Sequence, residues 1–233
     1  MELFDLNTFG CLQKAVFLSR PNRFVGHIQV DGRIATCHIA DTGRLREILH
    51  HGREILVTRN PAHLKTAYRL LAARMDDWVL INTAIHSRIV RRALEGGVLG
   101  YKPSLIVAEV QVAGGRLDYL VDDQLYIEVK GTNLLKNGQC LFPDAPTTRG
   151  RRHLEELIRL KEDGYDAMIL LLGLQNGNCF RPHHELDPEF ANTFRRALSA
   201  GVRYQGLKLH LRMPEGIIVA GENLPLCPRV IHG

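Results

Sequence analysis

Apolar and polar residues alternate with a period of two along much of the N-terminal third, a pattern that predicts strands. Leu12 to Ser19 is the first such run, and Pro21 follows it. Phe24 to Val30 and Arg33 to Ile39 flank Asp31-Gly32, a dipeptide suited to a tight hairpin turn. Gly43 then opens a short helical pattern with Leu45, Ile48 and Leu49 on one side, and Gly52 ends it. Arg53 to Thr58 and Thr66 to Leu71 add a fourth and a fifth strand, and Asp76-Asp77 marks a boundary. From Ile81 the period lengthens to that of a helix, with Ala84, Ile85, Ile89 and Ala93 on one face and a stop at Gly96-Gly97. Leu105 to Val112 is an apolar strand interrupted by Glu109; Arg116 to Val121 and Leu125 to Lys130 are strands after the Gly114-Gly115 turn. Thr148 to Asp163 is helical up to Gly164, and Asp166 to Leu174 is the continuous apolar run of a strand buried on both faces. Asp187-Pro188 starts a last helix that runs to Ala200 and stops at Gly201.

Five strands with a helix between the third and fourth is the layout of an OB-like barrel, here residues 1–80. The remainder, 81–233, runs helix, three strands, helix, strand. The expected class is therefore α/β (α+β), a five-stranded barrel followed by an αβββαβ domain.

The chemistry concentrates on two of those strands. Glu128 and Lys130 are two apart and share a face, and Asp118 lies on the preceding strand. Mg²⁺ or Mn²⁺ takes oxygen ligands. Asp118 and Glu128 each offer a carboxylate, and the Val129 carbonyl lies between Glu128 and Lys130. Lys130 can position a water or stabilise charge developing on a phosphate. A Glu-x-Lys triplet alone also describes a solvated ion pair on a half-exposed strand. With Asp118 on the second strand and Glu-x-Lys on the third, however, element order and motif together resemble the core of the PD-(D/E)xK, restriction-endonuclease-like nucleases. Glu109, one strand earlier, is either a third acidic ligand or a buried, paired structural carboxylate. Arg116 shares a face with Asp118, where it can hold that carboxylate ionised or grip a phosphate.

Composition sets the wider limits. The 233 residues can bury a substantial core, and 45% hydrophobic content rules out disorder on a domain scale. The longest apolar run, Ala167 to Leu172, is far short of a membrane span, and the first residues carry no basic-then-apolar signal pattern. Five cysteines, odd in number and without C-x-x-C spacing, predict no disulfide framework, no zinc site and a cytoplasmic setting. The adjacent pairs His50-His51 and His183-His184 read as loop polarity. A net charge of +5 permits nucleic-acid binding without demanding it. Nothing in the sequence selects an oligomeric state, and a homo-oligomer is allowed.

The basic residues are clustered. Arg20, Arg23, Arg33, Arg44, Arg46, Arg53, Lys65 and Arg69 outnumber nearby acids in the barrel segment, as either a phosphate-tracking groove or a solvated rim. Arg88, Arg91 and Arg92 lie on the first long helix. Asp41-Thr42-Gly43-Arg44 is either an anion-binding turn or a simple helix cap. Pro143 and Pro146 stiffen a loop around Asp144, a residue placed to orient Lys130 or Arg149 or to hold a water. Arg149 and Arg152 follow at a helix N-terminus, where they oppose the helix dipole unless an anion joins them.

The string Leu141-Phe142-Pro143-Asp144-Ala145-Pro146-Thr147-Thr148-Arg149-Gly150, followed by Arg152-His153-Leu154, resembles the sugar fermentation stimulation protein A family. "RLDYL", "IEVKG", "HIADTGRL" and "DPEF" resemble further blocks, so the likeness covers nearly the whole chain. Asp41, Thr148 and the "GTNLL" after Lys130 depart from the usual pattern. The resemblance implies an OB barrel joined to a nuclease-like domain, binding to the DNA phosphate backbone without sequence preference, and a regulatory link to sugar (maltose) use. Read from their own positions, Asp144 and His153 belong to the shell around the site, and Arg20, Arg23, Arg44, Arg116, Arg149 and Arg152 face DNA. An active Mg²⁺-dependent endonuclease is the alternative reading, and a protein-interaction scaffold the third.

Overall fold

The computed structural model describes residues 1–41 and 43–230. The chain divides into two units, one of Met1–Ile89 with His210–Val219 and one of Val90–Leu209 with the residues from Ala220 onward.

In the first unit, strand β1 (Glu2–Asp5) pairs antiparallel with residues 217–219. The barrel follows as β2 (Leu12–Asn22), β3 (Val25–Val30), β4 (Arg33–His38), β5 (Glu54–Arg59) and β6 (Tyr68–Arg74), and a short β7 (Trp78–Leu80) pairs with β6. The order β4-β3-β2-β5-β6 is antiparallel throughout. A parallel bridge, Cys37 with Tyr68 and His38 with Arg69, closes it. Alternate residues fill the interior: Phe17, Ile28, Val30, Cys37, Ile55, Val57 and Leu70 are buried. The β3–β4 hairpin turns at Asp31 (φ 49°) and Gly32 (φ 75°), the left-handed pair that a two-residue hairpin loop needs.

The helix expected after Gly43 does not form. Residues 43–52 are turns and bends, although Leu45, Ile48 and Leu49 are buried as the pattern foresaw. The physical reason lies in Arg20. Its guanidinium takes the carbonyls of Asp41, Gly43 and Arg44, which are therefore spent on a side chain and not on a helical ladder. The backbone at Leu45 is also left-handed (φ 53°). Thr42 lies outside the described residues.

The second unit takes in the later part of helix α1 (His86–Glu95), whose Ile89, Val90, Ala93 and Leu94 are buried. Strands β8 (Ile106–Val112), β9 (Gly115–Val121) and β10 (Leu125–Thr132) form an antiparallel meander. Two short strands, β11 (Leu134–Lys136) and β12 (Gln139–Phe142), precede helix α2 (Thr148–Glu162) and strand β13 (Asp166–Gly173). β13 lies parallel to β10, so α2 is the crossover of a βαβ-type connection. Then come β14 (Cys179–Pro182), which pairs with β12, helix α3 (Pro188–Ser199) and strand β15 (Arg203–Arg212). β15 runs parallel to β13 through residues 203–208, and a final strand β16 (Ile217–Asn223) follows. The αβββαβ order is as the hydrophobic pattern predicts. Leu154 and Leu157 of α2 and Phe190 and Phe194 of α3 share a core with Leu117, Ile169 and Leu171 of the sheet. Asp187 caps α3 by accepting from the Phe190 N–H at 2.9 Å, and its other oxygen accepts from the Thr147 N–H at 2.8 Å, at the start of α2.

One cysteine expectation is overturned. Cys179 and Cys227 form a disulfide, 48 positions apart. The C-terminal segment returns to β14, where backbone bonds join Phe180 to Pro225 and Cys227 and bring the two sulfurs together. No local spacing announces such a pairing. Cys11, Cys37 and Cys140 remain thiols. Both histidine pairs lie in loops, as expected. Among the described residues, no helix is long and apolar enough to cross a membrane.

The closest backbone approach in the second unit gives a test of the fold. A Cβ added at Gly206 would stand 2.1 Å from the Leu224 carbonyl oxygen and 2.6 Å from the Tyr204 hydroxyl. Gly206→Ala is expected to destabilise the protein by about 3 kcal/mol, because Leu224 is held by its N–H on the Gly206 carbonyl and by the Tyr204 hydroxyl on its own carbonyl and cannot yield. Urea unfolding measures this, and a loss below about 1 kcal/mol would contradict the packing.

Candidate functional site

The site is built where the β9–β10 ladder ends. Ile127 opposite Tyr119 is the last pair, and one step on the same register brings Glu128 beside Asp118. The Val129 N–H turns to the Asp118 carboxylate and donates to Oδ2 at 2.6 Å. Glu128 Oε1 accepts from both Lys130 Nζ and His153 Nδ1, the latter on α2. Glu128 is 2% exposed and its Oε2 is buried with no hydrogen-bond partner. Arg149, one turn earlier on α2, donates from Nε to His153 Nε2 at 3.4 Å.

Electrostatics separates the two carboxylates. Burial and the neighbouring Glu128 charge push Asp118 up to about 6, against the opposing pull of the Val129 N–H and Lys130. Burial also raises Glu128, but the hydrogen bond from His153 and the charge of Lys130 outweigh it and hold this carboxyl below its ordinary range. Two acids side by side thus have different proton affinities.

Among the described residues, no group of three or more His, Cys, Asp or Glu side chains forms a ready-made metal cage. Two carboxylates and a backbone carbonyl are nevertheless the kind of set that Mg²⁺ accepts, because it keeps waters and shares substrate oxygens. The bare Glu128 Oε2, and an Asp118 pushed toward protonation by its neighbour, are what a hard divalent cation would satisfy. The residues present fit such a cation.

The remaining expected residues separate into groups. Asp118, Glu128, Val129, Lys130 and His153 are together. Glu109 lies on exposed β8 between the residues that pair with Tyr119 and Leu117, has a left-handed backbone (φ 59°), and pairs its carboxylate with Arg116 Nε at 2.8 Å. It is paired but exposed, not a buried structural carboxylate, and Arg116 is paired with it in place of Asp118. Arg152 and Arg149 are exposed at the start of α2, where the neighbouring Arg151 pairs with Glu189 of α3. Asp144 is half-buried in the loop before α2. In the barrel, Arg20, Arg23, Arg44 and Arg46 line a hollow of about 360 Å³ with Asn22 and Gly43. Arg23, Arg44 and Arg46 are exposed there, while Arg20 is committed to backbone carbonyls. Arg53 is likewise held by the carbonyls of Ile48 and Arg74, and the Arg69 guanidinium sits over the Phe9 ring. The second bond of Asp187, to the Thr147 N–H, had no signal in the sequence beyond the residue's own capping position.

Comparison with known proteins bears on this geometry. The sugar fermentation stimulation protein RE domain matches residues 84–215, and the SfsA N-terminal OB domain matches residues 18–81. The chain belongs to the SfsA family. The sugar fermentation stimulation protein homologue of Sulfolobus acidocaldarius is 40% identical over 227 residues, covering 97% of this chain and 92% of that protein. The Sulfurisphaera tokodaii homologue is 36% identical with 97% and 95% coverage. Among solved structures, SfsA of Pyrococcus furiosus in complex with Ca²⁺ superposes with a TM-score of 0.88 at 33% identity, covering 97% of this chain and 99% of that one. The SfsA fold, an OB barrel and a second domain, is therefore the fold of this chain.

Three substitutions test the side-chain roles. Asp118 ionises only at a cost in the folded state, since its pKa is raised from 3.8 to about 6. That cost is fully present above pH 6 and vanishes as pH falls toward 4, because the folded chain then binds the proton more tightly than the unfolded one. In the metal-free protein, Asp118→Asn should therefore stabilise by about 1 to 3 kcal/mol at pH 8 and by little at pH 4, as read by urea unfolding at both pH values. Arg20→Met should cost about 2 to 4 kcal/mol, since the Arg20 guanidinium serves four backbone carbonyls, whereas Arg23→Met should be near neutral.

Proposed function

We propose that this protein binds DNA through the phosphate backbone without sequence preference and hydrolyses phosphodiester bonds when loaded with Mg²⁺ or Mn²⁺. The observation that carries this reading is the bare, buried Glu128 Oε2 beside Asp118, with Lys130 on the same carboxylate. A binder that merely tracks phosphates gains nothing from two carboxylates, which repel DNA unless a cation lies between them.

Asp118, Glu128 and the Val129 carbonyl would hold the cation. A bound Mg²⁺ supplies charge neutralisation at a phosphoryl oxygen and lowers the pKa of water. Lys130 carries the positive charge nearest this group and is only 13% exposed, so its field is weakly screened. It is placed to stabilise negative charge as it builds on the phosphate. Exposed Arg149 and Arg152 support a phosphate at the start of α2, and Arg23, Arg44 and Arg46 support a second backbone contact on the barrel. The Ca²⁺ in the Pyrococcus furiosus SfsA complex is consistent with an oxygen-ligand site, since Ca²⁺ and Mg²⁺ share hard oxygen donors.

If about five phosphates are neutralised, log affinity for duplex DNA should fall against log salt with a slope near −4 to −5. Fluorescence anisotropy with EDTA and with Mg²⁺ tests the site itself. Asp118→Asn and Lys130→Ala should each abolish metal-dependent cleavage of labelled DNA. In EDTA, Asp118→Asn should hold or raise affinity, and Lys130→Ala should lower it by about five- to tenfold. In Mg²⁺ the Asn variant should bind more weakly than wild type. A wild type indifferent to Mg²⁺, with an Asn variant alike in both buffers, would leave no cation site.

A further inference from the structure

We infer that His153 is a positioning residue for this site: through its Nδ1–H it holds one oxygen of Glu128 and so presents the other bare to a divalent cation. The inference rests on the reading of Asp118 and Glu128 as cation ligands.

A buried carboxylate ordinarily fills both oxygens. Glu128 does not: Oε1 takes two donors, Lys130 Nζ and His153 Nδ1, while Oε2 takes none. Lys130 cannot impose this asymmetry. It is two residues away on the same strand, and its flexible stem can follow either oxygen. His153 can impose it. The ring comes from α2, and with its side chain 5% exposed it is held by close packing and does not follow a rotating carboxylate.

The position of the proton follows from Arg149. A guanidinium only donates. Arg149 Nε points at His153 Nε2, so Nε2 accepts and the ring proton sits on Nδ1, facing Glu128. Without the ring's N–H, Glu128 can turn and bring Oε2 to Lys130, which removes the bare ligand oxygen.

The test is calorimetric titration of Ca²⁺ into the full-length protein without DNA, with imidazole ¹⁵N NMR on the same samples. His153→Phe should weaken Ca²⁺ binding by about tenfold or more, because it removes an outer partner of a ligand. His153→Asn keeps an N–H near the Nδ1 position and should stay within about threefold of wild type. The wild-type spectrum should show Nδ1 protonated and Nε2 unprotonated, and Arg149→Met should raise the share of the other tautomer. Ca²⁺ uptake unaltered by His153→Phe overturns this inference alone, as does an Asn variant as weak as Phe, which would make the ring a space-filler. A wild-type proton on Nε2 overturns it as well. If His153→Phe does not fold, the Asn variant and the wild-type tautomer decide. A wild type that takes up no Ca²⁺ overturns both the cation reading and this one.

Discussion

Two carboxylates forced together on neighbouring strands, largely out of water, are the constraint around which the second unit is organised. Such a pair is costly, because each charge raises the free energy of the other. The surroundings divide that cost. Asp118 is met by one backbone N–H, from Val129, and is pushed toward protonation. Glu128 is met by a histidine and a lysine and stays ionised. The sheet register, the end of the β9–β10 ladder and the seating of α2 over the sheet each supply one of these partners. A site that keeps two like charges at a standing expense in stability resembles what a ligand-binding centre needs more than what a core needs.

Much of this was legible in the chain because it is periodic. The alternation that makes Arg116 to Val121 and Leu125 to Lys130 strands also sets Glu128 and Lys130 on one face, so motif and element order confirm each other. The barrel strands were legible for the same reason. What was not legible depends on single bonds across long separations. Arg20 looks like any surface arginine until its guanidinium is found among the carbonyls of Arg23, Asp41, Gly43 and Arg44, and those bonds replace the helix that Leu45, Ile48 and Leu49 suggest. Glu109 pairs with Arg116 across a left-handed backbone, a partner that the alternation of β8 does not announce. The Cys179–Cys227 bridge depends on where the C-terminal segment returns, which no local spacing encodes.

The arginines show how little a count of charge says about a binding surface. Eight basic residues were visible in the barrel segment, yet Arg20 and Arg53 are occupied with backbone and Arg69 with an aromatic ring. Of the exposed remainder, Arg23, Arg44 and Arg46 gather in one hollow, and Arg33 and Lys65 lie outside it. Arg20 gives that hollow its shape, because it pins the carbonyls of the residues that line it. Architecture and recognition there use the same residue type on adjoining positions, and only hydrogen-bond bookkeeping tells them apart.

Asp187 has a consequence for how the chain can be cut. Its two oxygens serve two helices, the Phe190 N–H at the start of α3 and the Thr147 N–H at the start of α2, 40 residues upstream. The carboxyl thus fixes the end of α2 from which Arg149 and Arg152 project. A fragment that stops before residue 187 would retain Asp118, Glu128, Lys130 and His153 in its sequence and still lose the peg that orients the arginines. The minimal functional piece of this protein is therefore longer than its motif, and its downstream limit is set by a helix cap.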